Sequence, residues 1–204
     1  MLHYETVHAH TLGLLRKLML LPQLQGFALA GGTSLALQIG HRVSVDLDFF
    51  GNRPFDIEEL FELLREIAHV EPLKMSKNIL ILDMEGVKVD FVNYRYPLLK
   101  SVIVKDDLRL LSLEDIAAMK LAAIAGRGRK RDFTDLYFLL KHFTLADIIS
   151  FYNQKYNDGS EMMIVRSLSY FDDADTDEDL KLLKKVDWNE IKTLILRKIK
   201  THYH

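Results

Sequence analysis

The sequence predicts an α+β protein with an N-terminal mixed sheet flanked by helices and a helical C-terminal half. Two observations favour this class. Short β-rich runs broken by glycine turns fill the chain up to about residue 110. From Ser112 onward, apolar residues recur at helical spacing to the end of the chain. We therefore expect two domains, 1–110 and 111–204, joined by a short linker near 105–111, with a cleft between them.

Helices and strands alternate in the first part of the chain. Apolar residues near helical spacing predict a helix over 5–21. The run GFALAGG predicts a short strand that ends in a glycine turn, and TSLALQIG predicts a short helix closed by Gly40. The run VSVDLDFF predicts a second strand, which GNRP breaks.

Two helix starts and one hairpin complete the expected elements. Asp56 as N-cap, with Glu59 three residues later, predicts a helix over 57–70. The run NILILDMEGVKVDFVNY predicts a β-hairpin about the turn DMEG, and SVIV predicts one more strand. Ser112 and Asp115 resemble a capping box, so the first C-terminal helix should begin there.

Composition excludes several classes of protein. The 27 Lys and Arg residues nearly balance 29 Asp and Glu, for a formal charge of −2, so any nucleic-acid partner must be held by a local basic patch. Cysteine is absent, which excludes disulfides and thiolate metal sites. No apolar run approaches the roughly 20 residues of a membrane span. We expect a soluble, cytoplasmic protein without a membrane partner.

Polar residues occupy every second position of the second predicted strand. Arg42, Ser44, Asp46 and Asp48 should therefore project from one face. Parallel carboxylates repel each other unless they are solvated, protonated or bridged by a hard cation. A solvated edge strand would produce the same pattern, so the alternation alone leaves both interpretations open.

Two neighbouring features favour a cation. The turn Gly31 to Ser34 opens a helix, where glycines allow close backbone approach and the first N–H groups favour phosphate. Asp90 lies among apolar residues of the predicted hairpin and needs a partner there. If the hairpin joins the same sheet, Asp46, Asp48 and Asp90 can converge on two Mg²⁺ ions for phosphoryl chemistry.

These motifs together carry a family resemblance. Gly-Gly-Thr-Ser, then Asp-x-Asp about a dozen residues on, then a strand Asp, resemble the DNA polymerase β-type nucleotidyltransferases. More narrowly, AGGTSLAL…HRVSVDLDFF followed by KLAAIAGRGRKRDFTDLYFLL resembles the AbiEii/AbiGii toxin family, over roughly residues 25–142. The resemblance implies a polymerase-β-like core and the toxin of a bacterial toxin–antitoxin or abortive-infection system, with a cognate antitoxin as partner.

The resemblance also implies chemistry. A Mg²⁺-dependent enzyme, with two ions and Mn²⁺ as an alternative, would transfer a nucleoside monophosphate from a nucleoside triphosphate to an RNA, tRNA being one such RNA, or to a protein. The residues expected to bind nucleotide are Gly32, Thr33, Ser34, Arg42, Ser44, Lys120 and Arg131. The residues expected to be catalytic are Asp46, Asp48, Asp90, Lys120 and Asp135, with Asp46, Asp48 and Asp90 as metal ligands.

Simpler interpretations exist for the C-terminal features. Lys120 could extend from a half-buried helix to water. We expect Arg129 and Lys130 to be solvated, and residues 171–180 to form a solvated acidic loop. Trp188 should be a packing anchor.

Two other functions could use the same cleft. A kinase-like phosphotransferase would release a nucleoside diphosphate rather than pyrophosphate, and a catalytically silent module of the same fold would bind nucleotide or a partner without turnover.

Overall fold

The structure, a computed structural model, describes residues 1–157 and 159–203. By internal contacts the chain forms two units. The first comprises Met1–Pro97 with Ser101–Leu111, and the second comprises Leu98–Lys100 with Ser112–His204.

The first unit is built on one mixed sheet, in which seven strands lie within the described residues. The strands are β1 Phe27–Leu29, β2 Leu47–Gly51, β3 Val70–Ser76, β4 Ile79–Met84, β5 Val87–Asn93, β6 Ile103–Lys105 and β7 Leu108–Leu110. Their order across the sheet is β3-β4-β5-β2-β1-β7-β6. The β2–β5 and β1–β7 pairs are parallel, whereas the other neighbours are antiparallel.

Three helices of this unit are α1 Ala9–Leu20, α2 Gly31–Ile39 and α3 Ile57–Arg65. Alternation along β2 and β5 buries one face of each strand, so Phe49 and Phe91 stack in the core with ring centroids 5.2 Å apart. Asp56 caps α3 by accepting hydrogen bonds from the backbone N–H groups of Glu58 and Glu59. The predicted β4–β5 hairpin and the helix closed by Gly40 are confirmed, and Gly40 has a left-handed φ of 65°.

Three sequence-based element predictions need correction. The helix expected over 5–21 is a 3₁₀ turn at Tyr4–Thr6 followed by α1. The strand expected from residue 43 begins only at Leu47. The helix expected over 57–70 ends at Arg65, and an unpredicted strand, β3, follows. Most side chains of β3 are exposed and it contains Pro72, a residue that sheets tolerate at an edge, so no apolar alternation marked it.

The segment expected as a linker is part of the sheet. Ile103–Lys105, which overlaps the end of the predicted strand SVIV, pairs with Leu108–Leu110. Asp106 and Asp107 join the two strands with φ values of 52° and 63°, the conformation of a two-residue hairpin turn. The Asp-Asp pair between short apolar runs is the signal that could have predicted this hairpin.

The second unit is helical over its described residues. Its helices are α4 Leu113–Gly126, α5 Lys130–Leu139, α6 Leu145–Lys155, α7 Glu161–Leu168, α8 Asp172–Asp175 and α9 Trp188–His202. The Ser112 hydroxyl accepts a hydrogen bond from the Asp115 N–H, which confirms the predicted N-cap of α4. The α4 helix packs against α5, α6 and α7. Within the described parts of both units, none of the helices has the length and apolar character that crossing a membrane requires.

Candidate active site

The glycine turn forms hydrogen bonds with β2 and with the segment that precedes it. Gly31 has φ 63°, and a Cβ added there would overlap the Asp48 carboxylate. The Ala30 N–H donates to the Asp48 carbonyl at 2.7 Å. The Thr33 hydroxyl contacts the Asp46 carbonyl and the Ser44 hydroxyl, the latter at 2.9 Å. Hydrogen bonds therefore join the turn to the segment 44–48, and position 31 requires glycine.

Arg42 and Ser44 lie on the other side of this turn. Both are buried, and a Cβ on Gly32 would overlap the Arg42 guanidinium and approach the Ser44 Oγ at 3.3 Å. Arg42 donates to the Val43 carbonyl at 3.1 Å. A guanidinium is thus held against the backbone at the start of α2, where a phosphate would also meet N–H groups. Ser34 is buried as well, and its Oγ accepts a hydrogen bond from Gln38 at 3.2 Å.

Asp48 and Asp90 are direct neighbours on the adjacent strands β2 and β5. The parallel β2–β5 register pairs Asp48 with Asp90, and both half-buried residues alternate with core residues, so they share the sheet face opposite Phe49 and Phe91. The pairing that the sequence analysis required between the hairpin and the second strand is therefore present. Asp46 is half-buried and directly precedes β2.

Lys88 is a further charged neighbour on this face. Its ammonium lies 2.5 Å from the Asp90 carboxylate, with the Lys88 side chain 42% exposed. Positions 88 and 90 point to the same face because side chains alternate along a strand. The pair shows that a positive charge is accommodated beside Asp90.

The donor set fits a magnesium ion. Carboxylate oxygens are the ligands that Mg²⁺ prefers, and Asp48 and Asp90 present them from adjacent strands. Among the described residues, no three His, Asp or Glu side chains gather closely enough to hold a metal ion. The three-carboxylate site with Asp46 therefore stays a prediction.

The second unit contains a compensated cluster of charges between α4 and α5. The Lys120 ammonium forms ion pairs with Asp132 at 2.9 Å and Asp135 at 2.6 Å. The Arg127 guanidinium holds both oxygens of Asp132, at 2.9 and 3.1 Å. Lys120, Asp132 and Asp135 are buried. Asp132 therefore has both Arg127 and Lys120 as partners, and Lys120 does not extend to water.

Opposing effects set the pKa of Asp132. Burial alone would raise the pKa of this carboxyl, but the charges of Lys120 and Arg127 and their hydrogen bonds outweigh it. The net result is a pKa below the ordinary value of an aspartate. Asp132 is therefore ionised at neutral pH, and its carboxylate forms the ion pair with the Lys120 ammonium.

The prediction that Lys130 is solvated is wrong, whereas Arg129 is exposed as predicted. Lys130 is buried, and its ammonium donates to the Asp177 carbonyl at 2.6 Å and to the Asp179 carboxylate at 3.2 Å. Arg129 is exposed but forms an ion pair with Asp177 at 2.6 Å. Residues 171–180 are mostly exposed, as predicted, but Asp172–Asp175 form α8 and Asp177 packs on the start of α5. Ion pairs between residues so far apart in the sequence cannot be predicted from the spacing of neighbouring residues.

Trp188 is a packing anchor, as predicted. Its indole ring meets Phe133 and Phe171 with centroids 6.0 Å apart, and both contacts are edge-on. Its Nε1 donates to Asp175 at 2.5 Å, which joins α8 to the start of α9.

Comparison with known proteins identifies the class. Residues 13–201 match the family described as nucleotidyl transferase AbiEii toxin, type IV TA system. An uncharacterised protein of Aquifex aeolicus (strain VF5) is 39% identical over 184 residues, which cover 86% of this chain and 87% of that protein. The protein is thus of the nucleotidyltransferase class. Within that class, the chain belongs to the AbiEii family, the nucleotidyltransferase toxins of type IV toxin–antitoxin systems, which confirms the resemblance seen in the sequence.

Solved structures agree with the predicted fold class. A candidate nucleotidyltransferase of Helicobacter pylori superposes with a TM-score of 0.55 at 21% identity, covering 97% of this chain and 99% of that chain. JHP933 from Helicobacter pylori gives a TM-score of 0.54 at 22% identity, with 97% of each chain covered. At this identity the likeness concerns the fold, and the α+β prediction is confirmed. Nucleotidyltransferases of the AbiEii family are typically metal-dependent.

Proposed function

We propose that this AbiEii-family protein transfers a nucleoside monophosphate from a nucleoside triphosphate to a hydroxyl of an RNA, tRNA being one such RNA, or of a protein. The observation that supports this proposal is the in-register pair of Asp48 and Asp90 beside the glycine turn. As the toxin of a type IV system it would act in the cytoplasm, where a cognate antitoxin opposes it.

The reaction is a displacement at the α-phosphorus. The acceptor oxygen forms a bond to this atom, the bond to the β-phosphate oxygen breaks, and pyrophosphate leaves. The acceptor proton passes to a carboxylate, for which Asp90 is the proposed base. Mg²⁺, held by Asp46, Asp48 and Asp90, would supply charge neutralisation on the triphosphate.

The other proposed roles concern phosphate binding. Backbone N–H groups at Gly32, with Thr33 and Ser34, would contact the triphosphate, while Arg42 and Ser44 hold its orientation. In the second unit, the role proposed for Lys120 and Arg131 is to supply positive charge, and Asp135 would fix the Lys120 ammonium through their ion pair.

A labelling experiment tests the proposal. Full-length protein with Mg²⁺ is incubated with each of the four α-labelled nucleoside triphosphates and with total cellular RNA and protein. We expect label on one macromolecule class with wild type, and loss by a factor of at least about 100 for Asp48→Asn. Asp107→Asn is the matched control, because Asp107 is an exposed turn residue of the same unit whose left-handed φ asparagine tolerates.

Each alternative outcome has a definite meaning. Transfer from γ-labelled but not α-labelled nucleotide would replace the proposal with a kinase-like reaction. Mg²⁺-dependent nucleotide binding without any transfer would indicate a silent binding module. Equal transfer by wild type and Asp48→Asn would remove Asp48 from the site.

A further inference from the structure

A cavity of about 680 Å³ lies in the second unit between two oppositely charged segments. We call residues 127–131 the basic loop and residues 176–180 the acidic segment. The charged side chains that line the cavity are Arg127, Arg129, Lys130, Arg131, Asp177 and Glu178. Four cations among five consecutive residues are therefore collected at one concave surface.

Carboxylates of the acidic segment form ion pairs with some of these cations. One oxygen of Asp177 accepts from the Lys130 N–H at 2.8 Å, while the other forms an ion pair with Arg129 at 2.6 Å. Asp179, whose side chain is 97% exposed, reaches the Lys130 ammonium at 3.2 Å. Carboxylates of the chain itself thus bind the groups that an external anion would bind.

These contacts differ in how firmly they hold. The Arg129 side chain is 57% exposed and the Arg127 side chain 51% exposed, so both guanidinium groups also face solvent. Exposed ion pairs contribute little and are screened by salt. Asp132, by contrast, is buried and keeps its bidentate hold on Arg127. A ligand with several negative charges can therefore compete with Asp177 for the exposed Arg129 guanidinium without disturbing the Asp132 cluster, whereas Lys130, with a side chain only 10% exposed, contributes mainly through its charge.

We infer that this cavity binds the phosphate backbone of an RNA acceptor, and that Asp177 and Asp179 compete with the phosphates for the basic loop. This inference rests on the proposed function, because it names RNA as the acceptor class. A polynucleotide presents one charge per nucleotide, so neighbouring phosphates can meet neighbouring cations of the loop. Arginine, which supplies three of the four cations, matches phosphate geometry through paired N–H groups.

The test measures binding in the absence of nucleotide and Mg²⁺, so that it does not depend on catalysis. Fluorescence anisotropy of a fluorescein-labelled oligouridylate is followed with the full-length protein at several salt concentrations. We expect Asp177→Asn and Asp179→Asn each to tighten binding about two- to five-fold. Arg129→Gln should weaken binding and lower the salt slope by about one.

Matched controls separate this effect from general charge. Asp172→Asn makes the same charge change at an exposed position of α8, and it should alter affinity less than two-fold, a change within the roughly 0.4 kcal/mol of a weak surface pair. Asparagine at 177 can still accept from the Lys130 N–H, so α5 keeps its cap. Asp179→Asn changes a side chain that is 97% exposed, so it leaves the packing unchanged. Its oligouridylate affinity is therefore a second, independent measurement of the competition.

Outcomes on either side are distinct. The inference is overturned if wild type does not bind the oligouridylate, if Asp177→Asn and Asp179→Asn match Asp172→Asn, or if labelled polyglutamate binds as tightly and responds alike. Oligouridylate binding with the expected variant effects supports it even if no nucleotidyl transfer is found, in which case only the proposed function fails. Transfer to RNA by wild type with no variant effect on binding would leave the proposed function and remove this inference.

Discussion

Gly31 shows how one absent side chain shapes the candidate active site. Its left-handed φ and the closeness of the Asp48 carboxylate leave no room for a Cβ. The sequence analysis assigned glycines here to close approach by a ligand, and the structure adds a neighbour from the chain itself. The Asp48 carboxylate is therefore packed against the turn before any substrate arrives.

We expect Gly31→Ala to lower the free energy of unfolding by about 1–3 kcal/mol, because alanine is strained at this φ and its methyl group displaces Asp48. Gly13→Ala is the matched control. Gly13 is exposed within α1 with open space at its Cβ position, so alanine should stabilise the protein by about 0.5–1 kcal/mol. Urea unfolding of both variants measures the difference, and similar unfolding midpoints would contradict this account of Gly31.

The α4 and α5 helices are joined by charges instead of an apolar contact alone. Lys120 on one helix is bound by two carboxylates that lie three residues apart on the other. The energetic cost of burying each charge is offset by the opposite charges around it. Removing one partner therefore leaves a buried charge without compensation. The packing of α4 on α5 therefore depends on the protonation state of Asp132.

Asp132→Asn should lower the free energy of unfolding at neutral pH by about 3–5 kcal/mol, because Lys120 and Arg127 lose a buried counter-charge. The lowered pKa of Asp132 means that its stabilisation is present above the ordinary aspartate pKa. That stabilisation is lost as pH falls below about 4, through the lower pKa of the folded state.

Urea unfolding of wild type and Asp132→Asn between neutral pH and pH 3 tests this expectation. The variant should show a flatter loss of stability below pH 4. Asp173→Asn, a charge change at an exposed position of α8, should follow the wild-type curve. Parallel curves for wild type and Asp132→Asn would contradict the assigned pKa direction.

Elements with a local signature were predictable from sequence. The β4–β5 hairpin, the cap at Asp56 and the alternation that sets Asp48 and Asp90 on one face all follow from neighbouring residues. Strand β3 was missed because an edge strand with exposed side chains lacks alternation. The contact of Lys130 with Asp177 was missed because 47 residues separate the partners, and only the folded chain brings them together.

Each of the two units is formed by two separate stretches of the sequence. Leu98–Lys100 belongs to the second unit, where the Asp115 carboxylate accepts from the Leu99 and Lys100 N–H groups at 3.0 and 3.2 Å. Asp115 also binds the Lys155 ammonium at 2.7 Å, and both side chains are fully buried. A three-residue segment of chain thus helps to satisfy a buried ion pair in the helical unit.

Two fragments that differ only in this segment test its contribution. We expect fragment 98–204 to melt about 5–15 °C above fragment 101–204, because the shorter one lacks two donors to a buried carboxylate. Circular dichroism gives both melting temperatures. Equal values would mean that Ser112 and Lys155 satisfy Asp115 without the segment.

The register between β2 and β5 also sets the time at which the proposed carboxylate site forms. All of α3, β3 and β4 lies between Asp48 and Asp90 in the chain, so the two carboxylates become neighbours only when this distant parallel pairing closes. Such pairings are slow steps of folding. A chain still emerging from the ribosome therefore carries Asp48 without its neighbour, and under the proposed function it stays inactive until β5 pairs with β2.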